Sequence, residues 1–186
     1  MGKILVSLLI IFEILAISNL NIQKTYARQV SASANLQPSV SYGKLVDSRV
    51  KVLKNFLEKY NAPFVPFAGE FIKSADVYNL DWKLVAAISG VESTFGKFIP
   101  YDSFNAWGWG VYGNNVIYFS SWTEGIETVS KGLRENYLDK WGAKNIHQIG
   151  KIYAASPTWA SKVEYFMEKI TEFENQNLAY NLPISL

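Results

Sequence analysis

The sequence predicts a mainly α-helical domain with one small β-hairpin or ordered loop, and three observations carry that prediction. Apolar residues recur at the three- and four-residue spacing of a buried helical face in several separate stretches. Those stretches open on residues that cap helices: Asp47, Asp81, Ser121, Asn145 and Ser156. One interval, Phe98–Ser120, drops the helical period and turns to Trp, Tyr, Gly and Asn, a composition of turns and short strands.

Met1–Ala27 reads as an export signal (residues 1–27): Lys3 supplies the positive start, and Ile4–Ile17 is an apolar run broken only by Ser7 and Glu13. The run is short for a membrane span, but extended toward Leu20 it would serve as an uncleaved anchor. Thr25-Tyr26-Ala27 and Ala32-Ser33-Ala34 both offer small residues for a signal peptidase. On either reading the folded part is expected outside the cytoplasm, secreted or in the cell envelope, and touches a membrane only through this segment. Residues 28–45 are rich in Ser, Gln, Asn and Ala and lack an apolar period, so they form a flexible linker to a folded domain over residues 46–180.

Within that domain, Val50, Leu53, Leu57 and Tyr60 follow Asp47 as a first amphipathic helix, which Asn-Ala-Pro-Phe-Val-Pro ends. A second helix covers Phe67–Tyr78 with Phe71, Ala75 and Tyr78 inward. The third occupies Asn79–Gly96, with Asp81 as its cap, Leu84, Ile88, Val91 and Phe95 as its stripe, and Gly96 as its stop. In the aromatic interval, Gly113-Asn114-Asn115 supplies residues that tolerate positive φ for a hairpin or ordered loop. Ser121-Trp122-Thr123-Glu124 is a capping box that opens a long helix through Ile126, Val129, Leu133 and Tyr137 to about Trp141. Asn145 starts a short helix, and Ser156-Pro157 a last one bearing Val163, Phe166, Met167, Ile170 and Phe173. There is no internal repeat and no sign of a second domain.

Composition narrows the function. The 186 residues are 49% hydrophobic, enough for one packed core, and nothing demands a dimer, so a monomer is expected. A net charge of +2 with no basic run argues against nucleic acid. Without cysteine the domain rests on packing alone and has no thiol nucleophile or thiolate metal site. The single His147 excludes a multi-histidine metal cluster and leaves any Ser-His-Asp triad dependent on one imidazole; it reads as a surface or cap-neighbouring residue, and no cofactor is expected. Aromatic residues at 15% suit either a core or a platform for flat ligands.

Glu92 is the residue that points to chemistry. At roughly 100° per residue it falls between Val85 and Ile88 rather than beside Lys83, on the apolar side of the third helix. Burial there favours its protonated form, and a carboxylic acid still neutral near pH 7 can donate a proton. Glycosidases use such a group to protonate the departing sugar oxygen.

Three pieces then fall in order: Leu80–Lys97, ending Val-Glu-Ser-Thr-Phe-Gly-Lys; Phe104–Gly110, Phe-Asn-Ala-Trp-Gly-Trp-Gly; and Tyr153–Val163, Tyr-Ala-Ala-Ser-Pro-Thr-Trp-Ala-Ser-Lys-Val. Together they resemble the lysozyme-like superfamily of peptidoglycan-cleaving enzymes, in its bacterial glucosaminidase and soluble lytic transglycosylase form, over about Pro66 to Ile170. The resemblance implies a lysozyme-like helical fold whose loop lines a cleft. It places Glu92 as general acid and Tyr153 as a tyrosine beside it, orienting the carboxyl group or the substrate. Asn105, Trp107, Trp109 and Tyr112 would line the groove, aromatic rings facing the apolar side of a sugar and Asn105 meeting an N-acetyl group. Each of these tryptophans would equally pin the loop to the core, and Tyr153 would equally be a core residue. Trp122, Trp141 and Trp159 read mainly as packing residues, with Trp159 near enough to approach the cleft.

A paired-carboxylate enzyme needs a second acid, for which Asp102 and Glu124 are the candidates, although Glu124 has work in the capping box and Asp102 suits a turn. The partner implied is peptidoglycan or a related amino-sugar glycan cut at β-1,4 bonds. Water attack would make the reaction a hydrolysis, and internal attack by a muramic-acid hydroxyl would leave an anhydro sugar. The alternative is a module of the same fold that binds glycan, or serves as an envelope scaffold, without cutting.

Overall fold

A computed structural model of the chain describes residues 47–110 and 115–180, and the side chains of those up to Gln176. The expected signal, linker and Gly113-Asn114 turn lie outside the described residues, as does Tyr112. The fold is mainly α: six α-helices, with almost no strand among the described residues. No helix of the described residues is long and apolar enough to cross a membrane.

Helix α1 (Ser48–Lys59) begins where Asp47 accepts the Arg49 N–H, and it buries Val52, Leu53, Phe56 and Leu57. A single 3₁₀ turn, Val65–Phe67, leads into α2 (Ala68–Val77), which buries Phe71, Ile72 and Ala75 and leaves Tyr78 half-buried at its cap. Arg49 bridges Asp47 and Asp76 and so ties the start of α1 to the end of α2 across the surface.

Helix α3 runs from Leu84 to Ser93, shorter at both ends than the sequence predicts. Asp81 accepts the Lys83 N–H at 2.9 Å and so caps a turn ahead of the helix. At the other end Thr94, Phe95 and Gly96 take φ of 52°, 56° and 79°, so the chain leaves the helix through three consecutive left-handed residues. Only the glycine adopts that backbone without cost, and a β-branched threonine there is rare. The exit is held by what it anchors: the Phe95 ring is fully buried among Phe56, Tyr60 and Phe166.

The periodic stripe expected of α3 is also not its real arrangement. From Leu84 to Gly90 every residue is buried, so the helix is a central rod wrapped on all sides. Its most extensive partner is α6 (Trp159–Tyr180), the long last helix, which sets Val163 and Ile170 in the core. Around the rod also pack α2 and α4 (Trp122–Gly132). Ser121 accepts the Glu124 N–H as the capping box requires, but the Glu124 carboxylate reaches back one residue further than usual, to the N–H and hydroxyl of Ser120. Those bonds hold the Glu124 carboxyl below its ordinary range.

Helix α4 continues without a break into a π-helical stretch, Leu133–Lys140, as the expected long helix does, but with wider turns. The Trp141 N–H bonds the Asn136 carbonyl five residues back at 2.8 Å, and the Ala143 N–H reaches Tyr137 at 2.9 Å. Such widened turns are rare and gather at functional sites. Helix α5 (Ile146–Tyr153) starts at Asn145, whose side chain accepts the Gln148 N–H, and it leads into the turn at Ser156 that opens α6. His147 lies on the surface, 3.2 Å from Glu164, in the surface role the sequence implies.

Candidate active site

Glu92 ends the central rod. As a whole residue it is exposed, which corrects the expectation that its own helix buries it: the helix is greasy all round until Gly90, Val91 is only half-buried, and Glu92 emerges at the tip. Shelter comes instead from α6. The Trp159 indole N–H donates to Glu92 Oε1 at 2.5 Å, and Trp159 itself is buried. The second oxygen faces Gly108, where a Cβ placed on the glycine would stand 3.5 Å from Oε2. Desolvation of the carboxyl raises its pKa above the ordinary 4.5, and it outweighs the Trp159 hydrogen bond and the Lys162 charge, both of which lower it. The exposed area of the residue and the shelter of its carboxyl pull in opposite directions, and the carboxyl's own contacts govern the proton.

Behind Trp159 stands Tyr153. The two rings stack at 4.7 Å and 23°, and the Tyr153 hydroxyl donates to the Trp107 carbonyl at 2.7 Å. Burial first, and then the charges of Glu92 and Tyr137, push this phenol well above its usual range, so it stays a neutral donor. It therefore acts as a strut between α5 and the loop and orients Trp159, one step removed from the carboxyl the sequence assigns it to.

The loop is held from inside. Asn105 is 2% exposed: its amide donates to the carbonyls of Trp109 (2.9 Å) and Ile117 (3.0 Å) and accepts the N–H of Trp109 (2.9 Å) and, at 3.4 Å, of Trp107. Every donor and acceptor is committed, so the expected N-acetyl partner is instead the pin of the loop. Trp107 is likewise corrected from groove to core: it is fully buried, bonds the Val85 carbonyl at 2.9 Å and lies parallel to Phe64. The Ser93 hydroxyl sits between the carbonyls of Ser89 and Ala106, to either of which it can donate, and accepts the Gly96 N–H. One side chain thus fastens the loop, the helix end and the left-handed exit together beside Glu92.

Trp109 does face a groove. With Gly108, Gly110, Asn136, Tyr137, Trp141, Ile152 and Tyr153 it encloses about 310 Å³ open to solvent. Gly108 belongs both to this groove and to the face of Glu92 Oε2. Trp109 and Tyr153 rings lie 6.1 Å apart, Tyr137 stands 5.9 Å from Trp109, and Trp141 meets Tyr137 edge-on at 4.9 Å. Glycines on the neighbouring helices make room for the large rings. A Cβ on Gly132 would lie 2.3 Å from the Trp109 indole, and one on Gly150 2.9 Å from Trp159. Trp141 is half-exposed rather than packed inside, a further correction.

Asp102 is exposed at a φ of 51°, a turn position, and no contact among the described residues joins it to Glu92. Glu124 is committed to Ser120, and Trp122 is core. Of the residues the sequence offers, Glu92 meets Trp159, and Trp109 and Trp141 line the groove together with Asn136 and Ile152, of which the sequence held no hint. Among the described residues no three or more His, Asp or Glu side chains are grouped so as to hold a metal ion. No protein-family model matches this chain, and no curated protein matches it, so the chemistry rests on the residues themselves.

Proposed function

We propose that this is an exported, lysozyme-like enzyme that cleaves β-1,4 bonds between N-acetylated amino sugars of peptidoglycan, with Glu92 as general acid. The observation that carries the reading is a single carboxyl, pushed toward its neutral form, fixed on one oxygen by Trp159 and set on the other against Gly108, a residue that also lines an aromatic groove. A sugar face laid on Trp109, Tyr137 and Trp141 would bring its bridging oxygen past Gly108 to the acid. Proton transfer lets the bond to the anomeric carbon break, and the oxocarbenium-like charge left there is met by solvent or by a group of the substrate. Asp102 lies on an exposed turn and Glu124 is occupied by Ser120, and among the described residues no second carboxylate is one of the groups that shift the Glu92 carboxyl.

The test is incubation of the full chain with purified peptidoglycan and mass spectrometry of what is released. Soluble fragments ending in reducing or anhydro sugars support the reading and separate hydrolysis from internal attack. Binding to the sacculus with no fragment released would overturn it in favour of the glycan-binding module. Trp141→Ala, at a half-exposed rim ring, is expected to raise KM roughly threefold to tenfold with little change in melting temperature, since it removes a stacking face and almost no core. An unchanged KM would take the groove out of substrate binding.

A further inference from the structure

Trp159 occupies an unusual place for a packing tryptophan, because its one polar atom touches the one carboxyl the proposed chemistry needs. A protonated carboxyl group has two unlike oxygens, a carbonyl that accepts and a hydroxyl that donates. The indole N–H can only donate, and it is aimed at Oε1. Oε1 is therefore the carbonyl, and the proton resides on Oε2, the oxygen that faces Gly108. Trp159 is held to this task by three neighbours: Tyr153 stacks on its ring, Gly150 leaves space beneath it, and Ala160 continues the helix that presents it.

Resting on the glycan-cleaving assignment of Glu92, we infer that Trp159 is a positioning residue that directs the acid proton to Oε2 and stabilises the carboxylate once that proton has gone. As the proton passes to the bridging oxygen, the electron pair of the bond to the anomeric carbon goes to that oxygen and the alcohol leaves. Glu92 is left as an anion while water or a hydroxyl of the same sugar captures the cationic carbon, and the proton that the capturing oxygen loses returns to Glu92 or passes to solvent. The indole hydrogen bond changes in the same event from one to a neutral carbonyl to a charge-assisted one, which is stronger. An interaction that strengthens toward the transition state raises kcat rather than improving ground-state binding. The other groups bearing on this carboxyl are Lys162, a cation on α6, and Tyr153, a neutral phenol on α5.

Two measurements test this. In wild-type protein one of the indole N–H resonances of the six tryptophans should titrate with Glu92, at a pH above the ordinary 4.5 of a glutamate. That titration should vanish in Glu92→Gln, and the resonance itself should be missing from Trp159→Phe. In peptidoglycan turnover Trp159→Phe, which keeps the ring stacked on Tyr153, should lower kcat about tenfold with KM nearly unchanged and carry the alkaline limb of the rate to higher pH. If no indole resonance loses its titration in Glu92→Gln, or if Trp159→Phe folds and keeps the wild-type pH profile, the inference is overturned while cleavage by Glu92 stands. If wild-type protein releases no fragments yet the indole titrates, the contact is real and the glycosidase reading is what fails.

Discussion

Glu92→Gln is expected to yield a folded protein that still binds glycan and no longer cuts it, with the rate reduced about 10²–10⁴-fold, the usual contribution of a positioned general acid. The substitution is nearly isosteric, and the amide oxygen can still accept the Trp159 indole N–H, so the local geometry survives. What disappears is the proton. Zymography in a peptidoglycan gel, with fragment release as the quantitative measure, checks it, and retained lysis by the variant would remove Glu92 from the chemistry. Stability supplies an independent sign. Burial raises the folded-state pKa above 4.5, so the folded protein keeps its proton through a pH range in which the unfolded chain has lost it. Unfolding free energy therefore declines as pH rises through that window and is fully favourable only below it. Glu92→Gln does not titrate, so its stability curve should lack the decline and at neutral pH should lie at or above that of the wild type. The same direction holds for catalysis, which should fade as pH rises through the elevated pKa.

Asn105→Ala is expected to cost the fold heavily, although the sequence offers the residue as a ligand contact. Removing the amide leaves the part-buried carbonyls of Trp109 and Ile117 and the N–H groups of Trp107 and Trp109 without this partner in a segment that has no helix or sheet to satisfy them. An unpaired buried group costs about 1–3 kcal/mol, and with partial rehydration the total loss is roughly 3–5 kcal/mol. The melting temperature should fall by about 10 °C or more. A residue reaching out to an N-acetyl group would behave oppositely, leaving melting unchanged and raising KM, so calorimetry beside kinetics separates the two roles.

What could be read from the chain divides along a physical line. Caps and periods are local, and Asp47, Ser121 and Asn145 each start a helix by accepting a nearby backbone N–H, as their side chains dictate. Whether a helix is wrapped on one side or on all is not local. Leu84–Gly90 looks like a stripe when written out, yet it is buried throughout because α2, α4 and α6 close around it. The same limit explains the aromatic residues. Trp107, Trp109, Trp141 and Trp159 have one chemistry and four settings: core, groove wall, exposed rim and proton-directing donor. A glycine on a neighbouring helix decides some of these. Gly132 and Gly150 leave the space that Trp109 and Trp159 fill, and nothing in their flanking residues announces it. Glu92 was legible because its type and its neighbours Val91 and Ser93 say something specific; its shelter was not, since the tryptophan that provides it lies 67 positions later in the chain.

The widened turns at Leu133–Lys140 have a consequence for how this protein could diversify. Trimming a single residue there would let the stretch relax into ordinary α turns, and whatever follows would swing by about 100° around the axis. Trp141 would then look away from Trp109 while the interior beneath stayed as it is. Residue count in that stretch, more than side-chain identity, would act as the dial that aims this wall of the furrow, so insertions and deletions are the natural route by which a descendant of this chain would acquire a furrow of different shape.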